Sequence, residues 1–386
     1  MMFKTPTLLV VMLVLSACGS EVGAPLLNAD MGPVEDVSLD VQNDQGAETD
    51  LEQSPVEDME GDMQVDAQPD VVEEVDPFLT LPECAFPLMD AFTIDRLDPP
   101  AAASNTYPIP ALSAVDAFAD AVRLTIEGRY DAALMASQSV GYAICRGEGD
   151  YADTVLFEPV ARGTGNAVLA IRLKKDDASR LFFQSPHILH DRNTLPQSVR
   201  FFEELEARAL LTSGTHRCAS SERGCSGTSA VCERADDGYA ESDMAHSVTS
   251  YFQAAHEAVA DAFTQDLVVS VHGMARAGVS VSNGTRFRVA SDSPVARVVK
   301  ALDDAGIAEV TSCSPGTVAP EVNFLCGRTN TQGRHLNGSA DACFQNATRA
   351  SERFLHLEQE RTLRDNPTRM VNALKTALQP EMQLVQ

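Results

Sequence analysis

Four short stretches of this chain carry side chains that can do chemistry, and each follows an apolar run. Residues 182–194 read FFQSPHILHDRNT, where Pro186 stops strand pairing just ahead of His187, His190 and Asp191. Apolar 209–212 runs into Ser213-Gly214-Thr215-His216-Arg217. The run DLVVSV at 266–271 ends in His272-Gly273-Met274, and RFLHL at 353–357 delivers Glu358, with Arg361 three residues on. Two imidazoles and a carboxylate with an open fourth position are a common ligand set for catalytic Zn²⁺, and His187, Asp191 and His272 supply that set. His190, next to Asp191, is the alternative third ligand. Such an ion polarises a carbonyl and acidifies water. Glu358 is then the candidate general base, and Arg217 and Arg361 are candidates to clamp a substrate carboxylate. His216 is a weaker candidate for a supporting or oxyanion role. His246, His256, His335 and His356 read as structural.

The elements that must position these groups follow from hydrophobic spacing. Helical patterns cover 114–126 and 130–143, then 197–207, 245–263, 294–304 and 367–378. Strand patterns cover 154–160, 167–173, 180–184, 209–212, 266–271, 277–282 and 353–357. The charged turn Lys174-Lys175-Asp176-Asp177 predicts a hairpin between the second and third of these strands. Alternating strands and helices predict an α/β fold, a mixed β-sheet sandwiched by helices. All four polar clusters then fall on one sheet edge, where open sheets bind ligands.

The first 18 residues resemble a bacterial lipoprotein signal. Lys4 precedes an apolar run, and Leu15-Ser16-Ala17-Cys18 forms a lipobox too close to the start for a membrane span. The resemblance implies lipidation at Cys18, a membrane as partner and the cell envelope as location. Gly19 rather than Asp after the cysteine implies the outer membrane. Residues 19–76 read as an acidic, disordered tether: 18 of the 56 acidic residues fall in 21–76, with no Lys or Arg. Residues 77–150 read as a helical extension and 151–386 as the α/β domain. The folded part has no basic excess, which argues against a nucleic-acid partner. Eight cysteines besides Cys18 predict up to four disulfides. Cys218, Cys225 and Cys232 are too widely spaced for a zinc knuckle, so the loop 218–243 reads as a stapled rim or lid. Residues 327–334 read as a substrate-facing loop.

The order of motifs resembles that of N-formylglutamate amidohydrolases. Ser185-Pro186-His187, Thr215-His216-Arg217, the helix through Tyr251 to His256 leading into His272-Gly273-Met274, and Glu358 with Arg361 follow that family's sequence. The resemblance covers about 181–364 and implies a zinc-peptidase-like fold, one Zn²⁺ and amide hydrolysis. By position it implies His187, Asp191 and His272 as ligands, Glu358 as base and Arg217 as substrate-carboxylate binder. His216 stands where the family has Asn, and Gly273 where it has Ser. Export favours a peptide, γ-glutamyl or muropeptide-like amide over formylglutamate as substrate. The alternative is a binding or structural lipoprotein on the same fold.

Overall fold

A computed structural model describes residues 76–383 except 174–177, 228, 230 and 234–237. The signal with Cys18, the acidic stretch before Asp76 and the turn 174–177 lie outside the described residues. The elements in chain order are α1 (Ile94–Leu97), α2 (Leu112–Ile126), α3 (Tyr130–Ser139), β1 (Tyr142–Arg146), β2 (Thr154–Pro159), β3 (Val168–Arg172), β4 (Ser179–Ser185) and α4 (Thr194–Glu204). They continue with β5 (Ala207–Thr212), α5 (Tyr251–Ala262), β6 (Leu267–Gly273), β7 (Val279–Ser282), α6 (Pro294–Asp304) and β8 (Val310–Ser312). Last come α7 (Thr331–Leu336), β9 (Phe354–Gln359), α8 (Arg361–Asp365), α9 (Thr368–Ala377) and α10 (Gln379–Met382). Among the described residues the strands form one sheet, ordered β1-β2-β3-β5-β4-β6-β9-β7-β8.

Period-two alternation divides the sheet's side chains between two cores. Leu181 and Phe183 enter one, with residues of α4, α6 and α9, while Phe182 enters the other, with residues of α2, α3 and α5. Helices therefore cover both faces, which is why the central strands are apolar throughout. Strands β5, β4, β6 and β9 run parallel, so their carboxyl ends share one edge. The expected mixed α/β sandwich is observed.

Three local expectations are corrected. The chain does not form a hairpin between β3 and β4: β5 lies between them, antiparallel to β3 and parallel to β4. A strand as apolar as β4 gains more from an interior place, buried on both faces, than from pairing with its sequence neighbour. The helix expected over 130–143 ends at Ser139, because Gly141 takes a left-handed conformation (φ 76°). Residues 142–146 then become β1, paired with β2, so the span 77–150 contributes a strand as well as helices. The helix expected from 245 starts at Tyr251, where the Ser250 hydroxyl accepts the Gln253 N–H at 3.1 Å. No helix among the described residues is long and apolar enough to cross a membrane.

Candidate metal centre

Pro186 follows directly on β4, and the next residues make a single helical turn: the Asp191 N–H donates to the His187 carbonyl at 2.8 Å. A turn of that kind brings side chains four apart onto one side, which aims Asp191 and His187 at the same point. His272, on the parallel neighbour β6, reaches that point from across the sheet edge. His187 Nδ1 lies 3.3 Å from Asp191 Oδ2 and 3.2 Å from His272 Nδ1, and His272 Nδ1 lies 3.5 Å from Asp191 Oδ2. Nitrogen and oxygen ligands about 2.0–2.1 Å from a tetrahedral ion sit roughly 3.3–3.4 Å apart, so these three edges fit one face of such a shell. All three residues are at most 3% exposed.

The opposite ring nitrogens have partners suited to keeping Nδ1 available. His187 Nε2 meets Asp243 Oδ1 at 2.7 Å, and His272 Nε2 meets Ser270 Oγ at 2.9 Å. A carboxylate behind an imidazole fixes its tautomer and raises its basicity toward a metal. Burial chiefly pushes His272 down to about 4, keeping it neutral. Burial and Arg217 push His187 down, but Asp243 and the hydrogen bonds to Asp191 and Asp243 outweigh them and hold it above the usual value. Burial opposes ionisation of Asp191, yet its bonds to His187 and His272 hold it well below the carboxylate range. Two imidazole nitrogens and a carboxylate converging at a buried point favour a cation, and the donor set fits a divalent metal.

Glu358 on β9 pairs in register with His272 on β6, placing the two side chains on one face of the sheet. It is 6% exposed and lines the same cavity, and its Oε2 has no hydrogen-bond partner among the described residues. Burial, followed by the charge of Asp191, pushes it up to about 8. His356, two residues earlier and so on the same face, lies with Nε2 3.8 Å from Glu358 Oε1 and its ring 4.5 Å from that of His272.

The other expected residues fare differently. His190 is exposed and lies outside the His187, Asp191 and His272 cluster, although it lines the same cavity. Arg217 reaches the site, but its Nε and Nη2 are held by Asp243 at 3.0 and 2.6 Å, and Nη1 lies 3.5 Å from His187 Nδ1. His216 faces His190 and its Nδ1 accepts the Cys218 N–H at 3.0 Å, away from the ligands. Arg361 is not brought to the site: it pairs with Asp365 at 3.4 Å with its side chain 50% exposed. Gly273 lies against Arg364: a Cβ there would stand 2.4 Å from the guanidinium carbon and push that side chain aside.

Asp243 carries no sequence signal of its own: it sits in the aperiodic cysteine-rich loop, 56 residues from His187. It also binds His246 Nδ1 at 3.0 Å, and the His246 ring stacks on Tyr239 with centroids 3.7 Å apart. His246 and His356 therefore belong to the centre rather than to the core. His356 had a signal, its two-residue offset from Glu358 on a strand.

The ligands open into a cavity of about 710 Å³. Its rim comes from Ser229, Val231 and Tyr239 of one loop and from residues 323–330 of another. Both loops are stapled, by Cys218–Cys232, Cys225–Cys343 and Cys313–Cys326, and Cys84–Cys145 completes the four disulfides. Residues 327–330 line the cavity as expected, whereas 331–336 form α7.

No family model matches this chain, and no curated protein matches it. Among solved structures it is similar to a succinylglutamate desuccinylase from Vibrio parahaemolyticus, with 14% identity over 64% of this chain and 80% of that one, at a TM-score of 0.32. A candidate metallopeptidase from Shewanella baltica OS155 gives 14% identity over 67% and 92%, at 0.28. A candidate carboxypeptidase A from Shewanella denitrificans OS-217 gives 14% over 66% and 68%, at 0.29. At scores this low, function has to be read from the geometry of the site itself.

Proposed function

We propose that this protein is a zinc-dependent hydrolase that cleaves an amide bond in an N-acyl amino acid, γ-glutamyl compound or envelope peptide. The observation that carries this reading is the tetrahedral spacing of His187 Nδ1, Asp191 Oδ2 and His272 Nδ1, with the partnerless oxygen of Glu358 in the same cavity. Nitrogen and carboxylate donors in a four-coordinate arrangement suit zinc. A zinc ion held there would polarise the amide carbonyl and acidify the attacking water. Glu358 takes a proton from that water as its oxygen adds to the carbonyl carbon. It then returns the proton to the leaving nitrogen as the C–N bond breaks. Asp243 holds His187 in its ligating tautomer, and Arg217 presents only Nη1, enough for one substrate oxygen but not a two-point clamp.

The deciding experiment is the zinc content of the purified protein after dialysis against a weak chelator. About one zinc per chain is the expected result. Well-folded protein without zinc would turn the assignment to a binding lipoprotein. The anchor belongs to the same proposal: lipidation at Cys18 holds the protein at the outer membrane. Cys18→Ser should move it from the membrane to the soluble fraction, and unchanged fractionation would refute the anchor.

A further inference from the structure

We propose that the substrate is a short acidic peptide, recognised by Arg276 and Arg328 at the cavity mouth. This rests on the hydrolase reading and specifies its substrate class. The cavity lining carries three guanidiniums, Arg217, Arg276 and Arg328, against two carboxylates, Asp191 and Glu358. Both carboxylates are buried at the floor, where a divalent ion would balance them formally. Asp243 neutralises Arg217 from behind.

Arg276 and Arg328 are exposed, and among the described residues neither makes an ion pair. In a chain with 56 acidic and 29 basic residues, two guanidiniums with no ion pair among the described residues would give the mouth of this cavity a local positive field. Low-dielectric walls focus such a field on an incoming anion. The Arg276 guanidinium lies over the Phe324 ring at 4.2 Å, a contact that leaves its N–H edge free for a carboxylate.

Length follows from a second depression. Arg328 also lines a neighbouring cavity of about 160 Å³, together with Arg286. The cationic groups therefore continue outward from the ligands by way of Arg328 to Arg286. A single amino acid carries at most two carboxylates to place along such a track. A peptide of several glutamate or aspartate residues carries more.

The test compares tri-glutamate with tri-glutamine, bound by zinc-loaded Glu358→Gln protein in titration calorimetry. Tri-glutamate should bind at least roughly tenfold tighter at low salt, and the preference should collapse at about 0.5 M NaCl. The double variant Arg276→Gln/Arg328→Gln should lose the preference while zinc content and melting temperature stay unchanged. Equal affinities, or a preference that survives the double substitution, would overturn the proposal. Wild-type kcat/KM for the same two peptides gives a second readout that does not depend on the Glu358 variant. Selective binding without hydrolysis by zinc-loaded wild type would keep the acidic-peptide site and reject the hydrolase. Hydrolysis of both peptides with equal kcat/KM would keep the hydrolase and reject the acidic-peptide site.

Discussion

The floor and the rim of the cavity are built by opposite means. On the floor, Asp191 and His187 come from one turn after β4, and His272 and Glu358 sit on adjacent parallel strands locked in register. Their side chains are nearly inaccessible, and none depends on a long loop for its place. The rim is mostly irregular backbone, fixed by three disulfides and, between 222 and 241, by a short run of antiparallel backbone hydrogen bonds. Strand register holds ligand atoms within tenths of an ångström, which metal binding and proton transfer need. Stapled loops tolerate sequence change, which suits them to choosing what enters. Asp243 is the exception, a rim-loop residue that reaches down to orient a floor ligand.

The separation breaks most completely with His272→Ala. Removing one of three ligands should abolish stoichiometric zinc and all activity, as metal analysis and an amide-cleavage assay would show. Glu358→Gln tests the other half of the floor. It should lower kcat by about 10²–10⁴-fold while zinc remains bound, and wild-type turnover in this variant would remove Glu358 from the mechanism. The same substitution has a pH signature in the metal-free protein. The folded-state pKa of Glu358 is raised from 4.5 to about 8, so its contribution to stability is complete below 4.5 and is lost as pH rises through about 8. Wild type should therefore lose melting temperature relative to Glu358→Gln across that window. Parallel curves would show that Glu358 ionises normally.

Much of the floor was legible in the sequence because the same residues state both the strand and its polar end. DLVVSV cannot be exposed, and His272 directly after it must stand at a strand terminus. His187 and Asp191 were legible through Pro186, which ends pairing. His356 was visible in principle, since an offset of two on a strand means a shared face, but a lone histidine within RFLHL reads as core. The place of β5 between β3 and β4 was not legible. Local turn chemistry favoured a hairpin, and only burial on both faces decides otherwise. The rim was legible as two loops, 218–243 and 327–334, but not in its individual contacts, because Asp243, Arg276 and Arg328 sit in aperiodic segments brought together by tertiary structure.

Asp243→Asn cuts the link between rim and floor. The amide leaves His187 without its charged partner and Arg217 without its counter-ion. Zinc affinity should fall by about 10–100-fold, measured by competition with a chromophoric chelator. Unchanged affinity would make Asp243 a partner of Arg217 alone. Replacing Cys225 and Cys343 together with Ser acts on the rim only. This bridge spans 118 residues, so its loss should cost about 2–5 kcal/mol in denaturant unfolding while zinc stays bound. Loss of zinc in that variant would show that the rim holds the floor together.

Arg361 separates what motif order implies from what the fold delivers. Motif order places it three residues after the base, and its guanidinium makes it a candidate clamp for a substrate carboxylate. The structure starts α8 at this residue, half exposes its side chain and pairs it with Asp365 one turn on. An exposed pair of that kind is worth at most about 1 kcal/mol. Arg361→Ala should therefore leave kcat/KM within about twofold of wild type and barely move the melting temperature. Arg364 takes the inward place instead: it packs against Gly273, and its Nη1 donates to the Arg192 carbonyl in the turn that carries Asp191. Arg361 opens α8 while Arg364 lies in its last turn, and of the two only the buried one touches the elements that hold the ligands. A large loss of activity in Arg361→Ala would mean that α8 closes over the cavity when substrate binds.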